Sequence, residues 1–191
     1  MISVIKIGGS LEADPHRRRV LLAEIADGAC GRCIVVPGGG TFAALVRAAQ
    51  AREGFSDAEA HRQALDAMSD AAGIFRGIEP RLVHTLEPWA ETATATARVW
   101  NPRLLRAGHP DIPETWDVTS DSLALWLAGR VAGKRCVLVK SVDAPSGRDA
   151  AALASGGLVD AAFPTFAARY GGPIEIWGPN RRIAVELRDA A

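Results

Sequence analysis

Short, nearly continuous apolar runs alternate with longer segments of helical character along the chain. Such runs, in place of a strict alternation of apolar and polar residues, are typical of parallel strands that are buried on both faces. The pattern therefore predicts an α/β fold with a mainly parallel sheet and helices on both sides of it. The predicted strands cover residues 2–7, 32–37, 82–85, 97–100, 136–140 and 173–178.

Helix-start signals support several of the segments between these strands. Asp14 can cap a helix that has Pro15 in its first turn, and Ser56 with Glu59 has the spacing of a capping box. The predicted helices cover residues 15–29, 42–52, 56–75, 88–94, 101–108, 122–131, 163–170 and 180–188. Long loops are predicted at 111–121 and 141–157, and a single helical turn within the second loop is left open.

The helix predicted at residues 56–75 carries an apolar stripe. Leu65, Met68, Ala72 and Phe75 recur at helical spacing and would share one face. We interpret the stripe as a subunit interface, with packing against the protein's own core as the alternative.

The composition argues against partners that need a charged or strongly apolar surface. The chain has 191 residues, 48% of them hydrophobic, and its 22 basic and 22 acidic residues cancel in charge. We therefore expect a single domain over residues 1–191 that binds neither nucleic acid nor a membrane. No apolar run approaches the roughly 20 residues of a membrane span. The first residues, MISVIKIGG, lack the basic start of a signal peptide, so we expect a cytoplasmic protein.

The cysteines do not form a recognisable redox or metal motif. Cys30 and Cys33 have C-x-x-C spacing, but a redox pair needs its first cysteine at a helix N-terminus, and this segment leaves a helix and enters a strand. A structural zinc site needs four ligands, and Cys136 is the only other cysteine. We interpret all three as partly buried small residues and assign no metal-ligating residue.

Lysine is scarce, since only Lys6, Lys134 and Lys140 stand among the 22 basic residues. A general preference for arginine codons is the simplest explanation. However, lysine is a compact charge that can follow a moving phosphoryl group, whereas arginine is a rigid fork. Each remaining lysine is therefore a candidate functional residue.

Glycine turns and lysines follow the predicted strands in a way that suits an anion. Ligands of parallel sheets bind at the carboxyl ends of strands, where glycine lets backbone N–H groups approach an anion and a helix start adds a positive dipole. We predict a phosphate site here, although the P-loop and dinucleotide-binding spacings are absent. The residues concerned are Lys6, Gly8, Gly9 and Ser10 at the first strand, Gly38, Gly39 and Gly40 at the second, and Lys140.

The segment WDVTSDSLALWLA, residues 116–128, is richer in polar groups at its start than a helix cap requires. Asp117, Thr119, Ser120 and Asp121 all precede or open the predicted helix. One of them suffices for capping. A carboxylate from this set could hold two lysine ammonium groups in place and keep them charged.

Taken together, these motifs resemble those of the amino acid kinase family, which includes acetylglutamate, glutamate, aspartate and uridylate kinases. The resemblance rests on K-x-G-G-S at 6–10, G-G-G at 38–40, T-S-D-S-L-A at 119–124 and K-S-V-D at 140–143, whose order and approximate spacing match along nearly the whole chain. It implies a three-layer αβα sandwich. It also implies transfer of the γ-phosphoryl group of ATP, with Mg²⁺, to a carboxylate, phosphate or phosphonate.

The resemblance also implies roles for individual residues. Lys6 would bind the transferring phosphoryl group, Asp121 would orient the lysines, and Lys140 would complete the catalytic set. ATP would be bound by Gly8, Gly9, Ser10, Lys140, Asp143, Gly178 and Asn180, with residues 178–182 closing over the adenine or ribose. The anionic acceptor would be held by Gly38, Gly39, Gly40, Asp117, Thr119 and Ser120.

The chain departs from the family pattern in its later part. Family members often carry a second catalytic lysine in a G-G-M-x-x-K segment, whereas residues 154–163, ASGGLVDAAF, contain none. Lys140, an arginine or magnesium would then take over its role. The chain is also short for the family, which implies a small acceptor pocket or a trimmed nucleotide lid.

The resemblance also leads to more specific expectations about the identity of the acceptor and the oligomeric state. Likeness at residues 60–68, 98–102 and 116–143 suggests the branch that phosphorylates aminomethylfuran-methanol phosphate in the biosynthesis of methanofuran, a carrier of one-carbon metabolism. Arg76, Arg81 and Arg103 are candidate ligands of the acceptor phosphate, or else ordinary surface arginines. A kinase for isopentenyl phosphate, uridylate or an acidic amino acid stays open, as does a non-catalytic nucleotide or oxyanion binder. The family likeness also implies a homo-oligomer.

Overall fold

A single sheet forms the centre of the molecule in the computed structural model, which describes residues 2–89 and 95–186. Within these residues the sheet has seven strands in the order β3-β4-β2-β1-β5-β6-β7. Neighbouring strands are parallel except β6 and β7, which are antiparallel. The mainly parallel sheet expected from the apolar runs is thus confirmed. The strands are β1 (Ser3–Ile7), β2 (Cys33–Pro37), β3 (Val83–Thr85), β4 (Ala97–Trp100), β5 (Arg135–Val139), β6 (Ile174–Trp177) and β7 (Arg182–Ala184).

The helices begin where the capping signals predict. The Asp14 carboxylate accepts a hydrogen bond from the Arg17 backbone N–H, and the Ser56 hydroxyl accepts one from the Glu59 N–H. The helices are α1 (Pro15–Ala26), α2 (Gly40–Glu53), α3 (Asp57–Ile78), α4 (Ser120–Arg130), α5 (Ala150–Ser155) and α6 (Phe163–Tyr170), with 3₁₀ turns at Gly9–Ala13 and Pro102–Ala107.

Two apolar clusters cover the two faces of the sheet and give the αβα layering. Alternate residues of β1 belong to different clusters, because successive side chains of a strand point to opposite faces. Val4 packs in the cluster that contains α4 and α6, whereas Ile5 packs with Leu22 and Ile25 of α1. The apolar stripe of α3, from Leu65 to Phe75, is buried in these clusters, so core packing accounts for it.

Two predicted helices need separate comment. The helix predicted at 180–188 is wrong for residues 180–186, because a tight turn closed by the Gly178 N–H donating to the Arg181 carbonyl brings β7 back along β6. A three-residue strand is too short for its period to be recognised in the sequence. Of the helix predicted at 88–94, Pro88 and Trp89 form a turn; residues 90–94, like 187–188, lie outside the described residues. Across 2–89 and 95–186, the structure contains no helix that combines the length and the apolar character of a membrane span.

Candidate active site

Two lysines and one aspartate meet at the carboxyl ends of β1 and β5. Lys6 lies within β1, opposite Leu138 in the parallel register, and Lys140 directly follows β5. Because side chains alternate along a strand, Lys6 and Lys140 project from the same face of the sheet. That face is covered by α4, whose first turn carries Asp121. We call Lys6, Asp121 and Lys140 the lysine cluster.

The ion pairs of the lysine cluster are short and buried. Lys6 Nζ lies 2.8 Å from Asp121 Oδ1, and Lys140 Nζ lies 2.9 Å from Oδ1 and 2.7 Å from Oδ2. Lys6 is 5% exposed, Lys140 is 8% exposed and Asp121 is 5% exposed. The two ammonium groups and one carboxylate give the cluster a net positive charge, which suits an anionic ligand.

The cluster perturbs its own ionisation. Burial by itself would raise the pKa of Asp121, but the nearby Lys6 and Lys140 charges outweigh it and hold this pKa below its usual value. Burial, followed by repulsion from Lys6, lowers the pKa of Lys140 to about 8, and attraction to Asp121 offsets only part of this. Lys140 is therefore charged at neutral pH but loses its proton at a much lower pH than an ordinary lysine.

The glycine turns after β1 and β2 pack directly against each other. A Cβ added to Gly9 would lie 2.4 Å from Gly40 Cα, and one added to Gly38 would lie 2.5 Å from Gly9 N. Only glycine allows this contact between the two backbones. The N–H groups of Gly8 and Gly38 donate to the Val139 and Ile7 carbonyls and extend the sheet, so they do not face a ligand. Gly9 and Ser10 instead open a 3₁₀ turn, where the first N–H groups lack acceptors within the turn.

A carboxylate stands at the N-terminus of α2, where the sequence predicts an anion. Glu12 Oε2 accepts hydrogen bonds from the Thr41 N–H at 2.9 Å and from the Thr41 hydroxyl at 2.5 Å. Gly40 has φ +54°, and a Cβ there would overlap the Glu12 carboxylate. The helix dipole of α2 thus already stabilises a negative side chain, and no local sequence motif marks this role of Glu12.

A second aspartate, Asp160, holds the start of α4. Its carboxylate accepts four hydrogen bonds, from the N–H and hydroxyl of Thr119 (both 2.8 Å) and from the N–H (3.0 Å) and hydroxyl (2.5 Å) of Ser122. Burial raises the pKa of Asp160, although its hydrogen bonds with Ser122 and Thr119 oppose the change. No motif in the sequence marks this residue, although it lies in the segment 154–163 that lacks the expected lysine.

A small cavity of about 230 Å³ opens beside the glycine turns, between α2, α3 and the loop before α4. We call it the acceptor cavity, after the acceptor role that the sequence predicts for several of its lining residues. Its walls are mostly apolar, and the Arg47 guanidinium stacks 3.7 Å above the centre of the Trp116 ring. A cleft of about 460 Å³ between the glycine turns adjoins it and shares four lining residues with it. The acceptor cavity is lined by Gly39, Gly40, Ala43, Ala44, Arg47, His61, Ala64, Leu65, Met68, Trp116, Val118, Thr119, Ser120 and Leu123.

Most of the predicted acceptor residues meet at these two openings. Gly38 lines the cleft, Thr119 lines the acceptor cavity, and Ser120 lines both, as do the other two glycines of residues 38–40. Asp117 does not: it is exposed and lines neither opening. Its side chain lies on the outer side of the loop, because Trp116 and Val118 take the inward positions.

The predicted nucleotide residues of the later chain lie apart from the glycine turns. Gly178 and Asn180 line a cavity of about 240 Å³ beside α1. Asp143 is occupied within this segment, because its carboxylate accepts hydrogen bonds from the Asn180 N–H and side chain and from the Arg181 N–H, each at 2.9 Å. These hydrogen bonds hold its pKa below the usual value. Asp143 therefore fixes the turn between β6 and β7.

The other candidate groups fall outside the site. Arg81 pairs with Glu79 and Asp27, while Arg76, Arg103 and Lys134 are exposed. The three cysteines are buried and free, and burial raises the pKa of Cys33 to about 12, so its thiol stays protonated. Among residues 2–89 and 95–186, no group of three or more histidine, cysteine or acidic side chains is arranged to hold a metal ion.

Comparisons with known proteins support the family resemblance. A model described as the amino acid kinase family matches residues 1–113, whereas none of the curated proteins matches the chain. Solved structures with the same fold include an aspartate kinase from Synechocystis (12% identity, TM-score 0.69), which aligns over 100% of this chain and 41% of its own length. A uridylate kinase from Archaeoglobus fulgidus (15%, 0.67) aligns over 97% and 90%, and a UMP kinase from Bacillus anthracis (14%, 0.67) over 99% and 96%. At these identities the structures establish the fold alone.

Proposed function

The chain belongs to the amino acid kinase family, and from this premise we propose that it is an ATP-dependent kinase acting on a small anionic acceptor. The observation that carries the proposal is the lysine cluster, in which two buried ammonium groups share one carboxylate beside the glycine turns. Phosphoryl transfer requires positioning and charge neutralisation rather than covalent help from the protein. Fixed cations in a buried site supply this positioning and charge neutralisation.

Each residue of the cluster has a distinct part in this proposal. Lys6 neutralises the phosphoryl group in transfer, and Lys140 takes the place of the lysine that the segment 154–163 lacks. Asp121 positions both ammonium groups and keeps them charged. An acceptor that is already an anion needs no general base, so the neutral state of the buried His61 is compatible with the reaction.

Magnesium fits the site as a companion of ATP rather than as a resident ion. Both oxygens of Asp121 are engaged by ammonium groups, and Glu12 is the carboxylate that lines the cleft between the glycine turns. Mg²⁺ typically binds through substrate phosphates, water and one or two carboxylates, so Glu12 is the side chain that could contribute to it. When bound, the ion would neutralise the charge of the phosphates.

For the acceptor we propose a small phosphate monoester, with aminomethylfuran-methanol phosphate as the leading compound. The supporting observation is the acceptor cavity, whose volume of about 230 Å³ lies below the roughly 300–1,000 Å³ of pockets for larger ligands. A furan ring suits its apolar walls, while uridylate would need more room. The diphosphate product would be an activated leaving group for a later coupling reaction in one-carbon carrier synthesis.

A non-catalytic nucleotide or oxyanion binder is the second candidate. The lack of a lysine in residues 154–163 and the Glu12 carboxylate at the start of α2 favour it over a kinase, because both reduce the positive charge that could stabilise the transition state of phosphoryl transfer. The complete lysine cluster favours the kinase.

ADP release with ATP, Mg²⁺ and a panel of acceptors tests these alternatives. The panel contains the furan phosphate, isopentenyl phosphate, uridylate, aspartate and glutamate. We expect turnover with the furan phosphate, and a decrease in kcat of about 100- to 1,000-fold in Lys6→Ala. The matched control is Lys134→Ala, which removes an exposed lysine. Turnover confined to uridylate would reject the furan acceptor. ATP binding without ADP formation in the presence of any of these acceptors would favour the non-catalytic binder.

We further propose that the protein forms a homo-oligomer in the cytoplasm. Since the stripe of α3 is used in the core, the exposed Phe42 and Leu45 of α2 are better candidates for a subunit contact. Light scattering of the wild type and of Leu45→Glu measures the assembly, and a monomeric wild-type protein would reject the proposal.

A further inference from the structure

A separate cavity of about 490 Å³ opens at the end of α4 that is remote from the lysine cluster. It lies between the second half of α4, the helix α6 and the loop at residues 110–113. From Asp121 to Arg130 the helix advances by about 14 Å. The cavity shares no lining residue with the acceptor cavity or the cleft. We call it the arginine cavity, after Arg130 and Arg169 in its wall.

Aromatic rings form fixed walls of the arginine cavity. Trp126, Phe166 and Tyr170 line it. Trp126 stacks on the buried Trp100 ring with 6.0 Å between the ring centres, and the Tyr170 hydroxyl donates to the Gly133 carbonyl at 2.9 Å. Phe166 is itself 3% exposed. Contacts outside the cavity therefore hold its rings in place, and pre-formed cavities of roughly 300–1,000 Å³ with aromatic walls are typical of sites for small molecules.

A glycine keeps the α4 side of the arginine cavity open. Gly129 lines the cavity, and a Cβ added to it would have no neighbour within 4 Å among the described residues beyond its own helix. A larger side chain at this position would therefore extend into the space without a clash at its first carbon. The space in front of α4 is thus available to another molecule.

The charged groups of the wall favour an anion. The Arg130 and Arg169 guanidinium groups lie 5.2 Å and 5.6 Å from the centres of the Trp126 and Phe166 rings. Within residues 2–89 and 95–186, neither guanidinium forms an ion pair. Asp111 is the acidic residue of the lining, so two positive charges face one negative charge. The arginine cavity therefore has a net positive lining.

Helix-end charge is the alternative explanation for the two arginines. Arg130 lies in the last turn of α4 and Arg169 in the last turn of α6, where the helix dipole favours a cation. However, Arg169 Nη1 donates to the Asp111 carbonyl at 3.4 Å, in the loop that forms another wall, rather than to a carbonyl of α6. The dipole also does not account for the open space between the two side chains.

We propose that the arginine cavity is a second ligand site, which binds a small anion that carries a flat ring. The ring would pack against the aromatic walls, and the anionic group would pair with Arg130 and Arg169. A guanidinium group suits a carboxylate or phosphate because it offers two parallel N–H donors. This site is independent of the proposed function, since it shares no residue with the phosphoryl-transfer site.

The test titrates the protein with naphthoate, which has both a flat ring and a carboxylate. Naphthylmethanol, which lacks the charge, and acetate, which lacks the ring, are the matched compounds. We expect a Kd of about 1 mM or lower for naphthoate, and binding about tenfold or more weaker for the other two. In ¹⁵N–¹H spectra the indole resonance of Trp126 should shift. The resonances of Trp116 in the acceptor cavity and of Trp177 in the cavity beside α1 should not.

Two variants connect binding to the residues of the wall. The double substitution Arg130→Gln with Arg169→Gln should weaken naphthoate binding about tenfold or more, and Gly129→Leu should abolish it by filling the space. The controls are Arg103→Gln with Arg148→Gln, which removes two exposed arginines elsewhere, and Gly73→Leu, at an exposed glycine of α3 whose Cβ position is equally open. Each control should bind naphthoate like the wild type.

Several outcomes would overturn the proposal. These are no saturable binding up to about 10 mM naphthoate, equal affinity for naphthylmethanol, or shifts at Trp116 or Trp177 in place of Trp126. An unchanged Kd in the double arginine variant, with a lower melting temperature, would show that the arginines serve only the helix ends. ADP release is measured separately on the same variants, so a failure of the kinase assignment leaves the binding result in place.

Discussion

The lysine cluster and the acceptor cavity both adjoin the start of α4, yet they differ in whether their buried polar groups have hydrogen-bond or ion-pair partners. In the cluster every charged atom has a partner within 3 Å. In the cavity the walls are mostly apolar, and among residues 2–89 and 95–186 His61 Nε2 is buried without a hydrogen-bond partner. In the proposed function, the fixed cluster serves the transfer of phosphate and the mostly apolar cavity holds the acceptor.

The two carboxylates beside α4 make the same contrast at the level of single groups. Asp121 faces two cations and its pKa is lowered, whereas Asp160 faces neutral N–H and hydroxyl donors and its pKa is raised by burial. Charged partners compensate for burial more fully than neutral ones. Asp121 is thus part of the lysine cluster, whereas Asp160 holds the start of α4, the helix that positions Asp121.

The largest expected effect comes from removing the negative charge of the cluster. Asp121→Asn leaves two buried ammonium groups without a counter-ion, so we expect the free energy of unfolding to decrease by about 3–5 kcal/mol, with loss of ADP release. Urea unfolding at neutral pH measures the change. Asp117→Asn, on the exposed side of the same loop, should change stability by less than about 0.5 kcal/mol. Equal effects of the two substitutions would contradict the assignment of the cluster.

Asp160→Asn tests the scaffold beside the cluster. The asparagine amide group would face N–H and hydroxyl donors of Thr119 and Ser122, so we expect a loss of about 1–3 kcal/mol of stability with ADP release still detectable. The control is Asp66→Asn, an exposed carboxylate that pairs with Arg106, where less than about 1 kcal/mol is expected. If Asp160→Asn abolished turnover without changing stability, Asp160 would belong to the reacting site instead.

The lowered pKa of Lys140 predicts an upper pH limit for the activity that depends on the lysine cluster. Lys140 is protonated below about pH 8 and neutral above it, so kcat/KM for ATP should decrease as pH rises, by about tenfold between pH 7 and pH 9. In Lys140→Arg the decrease should disappear from this range, because arginine keeps its charge. A wild-type profile that is flat to pH 10 would show that the charge of Lys140 is not required.

The smallest effect is expected at the rim of the acceptor cavity. Arg47→Ala removes the cation stacked on Trp116, so KM for the acceptor should rise about two- to fivefold while kcat and the KM for ATP stay unchanged. Arg169→Ala, which removes a cation above Phe166 on α6, is the control. An equal change in kcat would contradict the separation of the two regions.

The sequence alone determined most of the framework, because its signals act between close neighbours in the chain. Apolar runs predicted the parallel strands, and Asp14 and Ser56 marked helix starts that the structure confirms. The same approach predicted a helix in place of β7, since a three-residue strand is defined by its partner β6 rather than by its own period. Motif order also brought Lys6, Asp121 and Lys140 together as candidates, and the structure places them in contact.

Only the tertiary structure decided which partner each polar group has. The Glu12 carboxylate caps α2 across 29 residues of sequence, and Asp160 caps α4 across 41. Asp143 is engaged by the turn before β7, and His61 Nε2 is buried without a partner in the described part of the chain. No local pattern encodes these outcomes, because a hydrogen bond between distant residues depends on how strands and helices pack, and a buried polar atom can pair only with what that packing brings to it.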